Sequence, residues 1–214
     1  NSKLKTIGKY AFCESSIQKV TFPLHLKKIE KYAFKSCLFL QLVEFPTNSE
    51  LQIIETEAFS FSNIKSIKLP PHLTKICENA FFSCDFLRKI EIPFDSELRI
   101  IEKGAFSFTS LEEIVIPSNL VELQDGWCEE TQNLTRISVS LENRYFKSYN
   151  DDFIIKKSNP ESDNYEILVF AQRDIVNAQI PSFIKIIGPF AFSQCSVLEK
   201  VEFSEDSNLH SIGK

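Results

Sequence analysis

Cysteine and histidine are the residues of this 214-residue chain best suited to carry a chemical site, and there are 6 cysteines and 3 histidines. No two cysteines form a C-x-x-C pair, and His25 and His72 have no third metal ligand at a usual spacing. The sequence contains no H-E-x-x-H motif, no G-x-S-x-G elbow and no glycine-rich phosphate loop. We therefore expect no catalytic residues, no metal and no cofactor in this chain.

Three of the cysteines recur at one position relative to a phenylalanine. Cys37, Cys84 and Cys195 each lie three residues after the Phe of an Ala-Phe dipeptide. If each dipeptide marks one coil of a stack, Cys37 and Cys84 are two coils apart, roughly 9 to 10 Å. A disulfide requires Cα atoms within roughly 7 Å, so the spacing favours buried free thiols over disulfides.

The Ala-Phe dipeptide belongs to a repeat that runs through the chain. Its template is LRIIEKGAFSFTSLEEIVIP, residues 98–117. Copies start at positions 4, 26, 51, 73, 98 and 120, so spacings of 22 and 25 residues alternate. Two further copies start at Ile184 and Leu209, and in the copy at Leu120 the pair Trp127-Cys128 replaces Ala-Phe. The chain begins and ends inside repeats, which predicts a single solenoid, 1–214, that is a fragment of a longer array.

One degenerate copy is predicted between Leu120 and Ile184. Residues 175–181 have the spacing of the end of a repeat. Counting back from them places Val169-Phe170 at the Ala-Phe position and the start of the copy at Ser162.

The remaining length predicts an insertion at about 145–161. Two runs rich in β-forming residues, 153–157 and 165–170, flank the turn-like segment SNPESDN. We therefore expect a β-hairpin that projects from the solenoid, and its second strand would overlap the degenerate copy.

The end of each repeat, Leu-x-x-Ile-x-Ile-Pro, alternates with period two and is rich in β-branched residues. This predicts a repeat solenoid with one short parallel strand per coil. The Ala-Phe stretch and its small polar followers favour a short helical or 3₁₀ turn on the outer side, with the Phe inside the coil.

The full pattern, L-x-x-I-x-x-x-A-F-x-x-C-x-x-L-x-x-I-x-I-P, resembles the BspA-type leucine-rich repeat, also called the Treponema-type class. Asn143, Tyr149, the 151–155 run and Leu168 resemble the interruption that such arrays often carry. Departures are Trp127-Cys128, Val169 in place of Ala, and serines in place of two closing prolines, at Ser140 and Ser204.

The resemblance implies a right-handed leucine-rich-repeat superhelix, found on secreted or surface-anchored proteins of host-associated bacteria and parasitic protists. It also implies an adhesion or host-protein-binding module. A net charge of -5 and a pI near 5.4 argue against a nucleic-acid partner. No apolar run reaches the roughly 18 residues of a membrane span, so we expect no direct membrane insertion by this fragment.

The predicted partner-binding surface is the concave strand face, where residues flanking the inward Ile position project. Its five basic and four acidic residues nearly cancel, which suits a protein or glycan on a host or neighbouring cell better than a polyanion. The plainer interpretation is that any solenoid exposes polar groups there. The predicted residues are Lys19, Thr21, Leu42, Glu44, Ser66, Lys68, Lys89, Glu91, Glu113, Val115, Arg136, Ser138, Asn177, Gln179, Lys200 and Glu202.

The insertion is the second candidate surface, because loops on a rigid scaffold often carry recognition. Its aromatic residues are Tyr145, Phe146, Tyr149 and Phe153, which instead could pack the hairpin onto the solenoid. Asn133 begins an N-x-T sequon and is a possible glycosylation site if a eukaryote secretes the protein. The leading hypothesis is a non-catalytic macromolecule-binding module at the cell surface or secreted, and the alternative is an intracellular, cytoplasmic scaffold or spacer.

Overall fold

The computed structural model describes residues 2–213, which form a stack of coils built from short β-strands. The end residues of the predicted 1–214 array, Asn1 and Lys214, lie outside the described residues. Each regular coil contributes a first strand of two residues and a second strand of three or four residues.

The strands of the first six coils are β1 (Thr6–Ile7), β2 (Lys19–Thr21), β3 (Lys28–Ile29), β4 (Leu42–Glu44), β5 (Ile53–Ile54), β6 (Ser66–Lys68), β7 (Lys75–Ile76), β8 (Lys89–Glu91), β9 (Ile100–Ile101), β10 (Glu113–Ile116), β11 (Glu122–Leu123) and β12 (Arg136–Val139). The insertion and the coil that follows it contain β13 (Phe146–Tyr149), β14 (Phe153–Lys157), β15 (Tyr165–Ala171) and β16 (Asn177–Ile180). The last strands are β17 (Ile186–Ile187), β18 (Lys200–Phe203) and β19 (Ser211–Ile212).

Two parallel sheets run along the first six coils. The first strands form the first-strand sheet, in the order β1-β3-β5-β7-β9-β11, and the second strands form the second-strand sheet, from β2 to β12. The register pairs residues that hold the same position in successive repeats, for example Ile7 with Ile29 and Ile114 with Ile137. The predicted strand per coil and the stacked solenoid are confirmed, with a second short strand added to each coil.

A ladder of phenylalanine rings runs through the first five coils, one ring from the Ala-Phe dipeptide of each coil. Phe12, Phe34, Phe59, Phe81 and Phe106 stack in order, with centroids 5.1 to 5.6 Å apart and interplanar angles of 19° or less. The preceding alanines are fully buried from Ala33 to Ala105, which lets the backbones of neighbouring coils approach closely. Stacked pairs of this kind contribute about 0.5–1.5 kcal/mol each beyond area burial.

The predicted helical turn on the outer side is wrong, because no helix occurs within residues 2–213. The Ala-Phe stretch is instead a train of β-turns, as in Ala11 N to Gly8 O at 3.1 Å and Cys13 N to Tyr10 O at 3.2 Å. A residue with positive φ recurs every four positions, such as Tyr10 at 58° and Glu14 at 59°. A left-handed residue in each turn prevents the backbone from continuing as a helix.

The insertion forms an antiparallel meander, β13-β14-β15, and β15 then pairs in parallel with β17. The predicted segment 145–161 contains β13 and β14. The predicted second hairpin strand is β15, which also serves as the first strand of the next coil.

The predicted register of the degenerate copy is partly wrong. Leu168 pairs with Ile187, which puts the coil start three residues after Ser162. Ala171 N donates to Ala191 O, as Phe34 N does to Ala58 O, so Ala171 rather than Phe170 stands at the Phe position. Leu168 and Ile175 are seven residues apart, against ten from Ile101 to Leu111. Counting back with a full-length repeat therefore places the start of this copy too early in the sequence. The second strand of the copy is placed as predicted, with Ala178 opposite Val201.

Next to the insertion, the aromatic rings in the interior come from a different position of the repeat. Trp127 stands at the Ala position, since Phe106 N donates to Trp127 O. Its ring lies 6.2 Å from Phe106 and 6.2 Å from Phe170, so these two coils fill the interior from the Ala position instead of the Phe position. Arg173 is buried beside them, with its guanidinium 4.1 Å from the Phe170 ring and Nη1 donating to Ala191 O at 3.3 Å.

Candidate functional site

The candidate site is the outward side of the second strands. In the strands of the second-strand sheet, the Ile or Val that follows the first residue points into the solenoid. Examples are Ile67, Ile90 and Ile114, which are at most 5% exposed. The residues on either side of this Ile or Val point outward, because side chains alternate along a strand. All sixteen predicted face residues are exposed or half-buried.

The structure divides these sixteen residues between two sheets. Twelve lie on β2 to β12 in two rows, as the pairings Ser66 with Lys89 and Val115 with Ser138 show. Asn177, Gln179, Lys200 and Glu202 lie on the separate pair β16 and β18. We name the twelve-residue surface on β2 to β12 the strand face.

The side chain of Gln172 bonds to the last strand of the second-strand sheet. Its Nε2 donates to Ile137 O at 3.0 Å, at the edge of β12 where the next parallel strand would bond. Val139 N likewise donates to Ser148 Oγ of β13 at 3.2 Å. The insertion and the coil that follows it therefore satisfy backbone groups that the interrupted stack would leave unpaired.

Charges on the strand face are largely compensated by neighbours. Lys19 pairs with Glu44 at 2.9 Å and Arg136 pairs with Glu113 at 3.2 Å. The hydrogen bonds from Lys19 and then Thr21 hold the pKa of Glu44 below its usual value. Exposed pairs of this kind contribute little to stability, because solvent screens them. The strand face therefore carries four basic and three acidic side chains, six of which form ion pairs.

The insertion borders this face at one end. A groove of about 710 Å³ lies between β8, β10 and β12 and two further residues, Asp151 of the insertion and Gln172 of the coil that follows it. Val115, 52% exposed, provides an apolar patch within it. Burial, followed by the charges of Asp151 and Asp174, raises the pKa of Asp152, which lies in the same hairpin turn.

Of these two groove residues, Asp151 lies within the insertion predicted as the second candidate surface, whereas Gln172 was not predicted. Nothing in the sequence indicated that Gln172 reaches the edge of β12.

The insertion aromatics mostly pack inward. Phe146 and Phe153 are 2% exposed, and the half-buried Tyr149 ring lies 5.3 Å from Phe183. Tyr145 is also half-buried and lines a second cleft, away from the strand-face groove. The packing role therefore accounts for Phe146 and Phe153, while Tyr145 remains open to solvent on one side.

The cysteines are free thiols, and those that follow an Ala-Phe dipeptide by three residues bond to the turns. Cys37 Sγ donates to Phe12 O at 3.0 Å and Cys84 Sγ donates to Phe59 O at 3.1 Å, each reaching back one coil. The hydroxyl of Ser62 lies 3.3 Å from Cys84 Sγ. Burial raises the pKa of the Cys84 and Cys128 thiols to about 11, so both are protonated at neutral pH.

Histidines are used in surface pairs. The Nδ1 atoms of His25 and His72 each lie 3.0 Å from a carboxylate of the next coil, Glu50 and Glu97. Throughout residues 2–213, no group of three or more His, Cys, Asp or Glu side chains is arranged to hold a metal. Asn133 is exposed on the turn before β12 and Leu134 is fully buried, which leaves the predicted sequon accessible.

The comparison with known families agrees with the coil geometry. The family described as BspA type leucine rich repeat region matches six copies over residues 1–93, 40–150 and 162–214. The chain belongs to the BspA-type leucine-rich repeat family. The resemblance drawn from the sequence is thereby confirmed, and the unmatched residues, 151–161, lie in the insertion.

Solved structures of bacterial leucine-rich repeat proteins share the fold. The pneumococcal vaccine antigen PcpA is 25% identical, with a TM-score of 0.88 over 98% of this chain and 52% of PcpA. A leucine rich cell surface protein of Faecalibacterium prausnitzii is 21% identical, with a TM-score of 0.74 over 98% of this chain and 61% of that protein. A leucine-rich repeat protein of Eubacterium ventriosum is 20% identical, with a TM-score of 0.61 over 100% of this chain and 54% of that protein.

This BspA-type chain thus spans between half and two thirds of the length of these three relatives. No curated protein sequence matches it. Among residues 2–213 there is no helix with the length and apolar character needed to cross a membrane.

Proposed function

We propose that this chain is part of a non-catalytic binding protein, secreted or held at the cell surface, that presents its strand face to a protein or glycan on a host or neighbouring cell. The observation that carries the proposal is the pair of outward rows on β2 to β12, which continue across six coils in one register. A rigid ladder of this kind offers a partner many equivalent contacts.

The composition of the rows supports a macromolecular partner. Small or uncharged side chains such as Ser66 and Ser138 alternate with ion pairs, and Leu42 and Val115 add exposed apolar surface. Because the charges compensate one another, binding would depend on shape and hydrogen bonding over several coils. A single change such as Lys68→Ala should then weaken binding only slightly.

The relatives support the extracellular location. PcpA is described as a vaccine antigen and the Faecalibacterium prausnitzii relative as a cell surface protein. Since this chain spans only part of those proteins, its anchor, its location and its partner belong to the proposal.

Location is the first test. An antibody raised against 145–161, which includes the exposed residues 158–161, would be applied to intact and to permeabilised cells of the source organism. Labelling of intact cells would support the surface role. Labelling only after permeabilisation would contradict it and favour an intracellular scaffold.

Binding is the second test, using immobilised extracellular matrix proteins and host-cell glycans. The double variant Ser66→Arg/Ser138→Arg places two long side chains on the strand face. The matched control, Thr6→Arg/Ser211→Arg, adds the same two residues to exposed first-strand positions. We expect the first variant to lose at least tenfold in affinity for any partner found and the control to bind normally. Equal binding by both variants would exclude the strand face as the binding surface.

A further inference from the structure

A second cleft lies where the first-strand sheet is interrupted. That sheet stops at β11, and the next first strand, β15, pairs with β14 and β17 instead of β11. The gap is a cleft of about 870 Å³. One wall comes from the coils before the gap, including Arg99, Asn119 and Val121, and the other from 141–145 and the insertion.

The arginines of the chain separate into distinct environments. Arg88 and Arg136 pair with Glu112 and Glu113, and Arg173 is buried. Arg99 and Arg144 are exposed, and neither has a carboxylate within 4.0 Å among the described residues. Both line the cleft. The two exposed guanidinium groups without an internal counter-charge therefore belong to one concave surface of a protein whose net charge is -5.

A third cation lines the same cleft. The side chain of Lys157 is only 12% exposed, and its Nζ lies 5.5 Å from the centre of the Tyr165 ring. Its carboxylate partner, Asp163, is 3.7 Å away and is fully exposed. Glu142 is the other acidic residue of the lining, so cations exceed carboxylates by three to two.

The wall that carries Arg144 is held rigidly by Asn143. Its Nδ2 donates to Pro117 O at 2.6 Å and Leu120 O at 3.1 Å, and its Oδ1 accepts from the backbone N–H groups of Tyr145 and Phe146, both at 2.8 Å. Tyr165 Oη also donates to Arg144 O at 3.4 Å. The backbone on both sides of Arg144 is therefore fixed before any ligand arrives.

The remaining lining suits a sugar better than a peptide. Tyr145 and Tyr165 are half-buried, and tyrosine rings stack on the apolar face of a pyranose. The apolar residues Val121 and Leu141 form no enclosed pocket for a peptide side chain, since Leu141 is fully exposed. Guanidinium groups bind carboxylates in a bidentate geometry that ammonium groups cannot match.

We propose that this cleft binds a carboxylate-bearing sugar of a glycan, with Arg99 and Arg144 holding the carboxylate and the rings of Tyr145 and Tyr165 contacting the sugar. The site lies on the other sheet from the strand face, so it does not depend on the proposed function of that face.

Titration calorimetry of the whole chain at about 50 mM NaCl would test the site, with 3′-sialyllactose as the acidic probe, lactose as its neutral counterpart and hexaglutamate as an acidic peptide. We expect sialyllactose to bind at least tenfold more tightly than lactose and hexaglutamate. Arg99→Gln/Arg144→Gln should lose at least tenfold in sialyllactose affinity, and Arg99→Lys should lose part of it. The control Arg88→Gln removes the same group from an ion-paired position outside both the cleft and the strand face, and it should bind normally.

Three results would overturn the proposal. These are no binding of sialyllactose, equal binding of lactose or hexaglutamate, or equal loss in the control variant. The strand-face variant Ser66→Arg/Ser138→Arg should keep full sialyllactose binding, which separates failure of this site from failure of the proposed function.

Discussion

Replacing Phe81 with alanine is the most direct test of the ring ladder. Phe81 is fully buried between Phe59, 5.4 Å away at 7°, and Phe106, 5.6 Å away at 19°. A buried Phe→Ala change costs about 3–5 kcal/mol. Because two stacked pairs are lost at once, we expect the upper part of that range, about 4–5 kcal/mol.

Urea unfolding would measure this loss by far-UV circular dichroism and by fluorescence of the single tryptophan, Trp127. Trp127 is buried against Phe106, the ring next to Phe81, so it reports on the adjoining coils. Phe86→Ala is the matched control, because Phe86 is 53% exposed and loses the same atoms. The control should stay within about 0.5–1 kcal/mol of the wild type.

A further result is expected from the one-dimensional architecture. Each coil contacts only its neighbours, so a weak coil in the middle divides the array. Phe81→Ala should therefore broaden the transition or separate the two optical signals. Equal urea midpoints for Phe81→Ala and the wild type, or a larger loss in Phe86→Ala, would refute the stacked core.

Three other predictions follow from single contacts. Asn143→Asp should lose at least about 1–3 kcal/mol of unfolding free energy by urea titration, because two carbonyl groups would lose their donor; an unchanged midpoint would contradict the bonding of the amide. At pH 8, iodoacetamide followed by mass spectrometry should label Cys13 at least tenfold faster than Cys84 or Cys128, whose pKa of about 11 leaves roughly 0.1% thiolate; equal rates in the folded chain would contradict their burial. Ion pairs hold the pKa of Glu44, Glu166 and Glu202 below the ordinary 4.5, so their contribution to stability is present above that pH and is lost as pH falls through the folded values; Tm should drop below about pH 4.5 at low salt and drop less in 1 M NaCl, and a salt-independent profile would rule these pairs out as the cause.

The positions of the second strands could be predicted from the sequence, because neighbouring strands pair residues at the same position of successive repeats. Residues such as Ile114 and Ile137 hold the same position in successive copies, and parallel stacking pairs identical positions. The same rule placed Cys37 and Cys84 two coils apart and put the sixteen face residues on the outside. Periodicity therefore predicted the second-strand sheet and the solvent-exposed side of its strands, but not the first-strand sheet.

The turns could not be read in the same way. Left-handed backbone is usually signalled by glycine, and among residues 2–213 glycine occupies it only at Gly104 and Gly126. Equivalent positions hold Tyr10, Tyr32 and Phe190, which carry no such signal. The short polar followers of the Ala-Phe pair therefore look helical in the sequence, although the backbone alternates between right-handed and left-handed residues.

The candidate surfaces around the insertion lie beyond what periodicity can predict, because one interruption creates both. The coil that follows the insertion is three residues shorter than a regular one in its turn half, and its second strand does not continue the sheet at β12. Its first strand pairs with the insertion strand β14 instead of β11. On the second-strand side, Gln172 and Asp151 border a groove. On the first-strand side, the cleft is lined by Arg99 and Arg144. The repeat pattern gives each residue a position within a coil, whereas these residues come together where the pattern is interrupted.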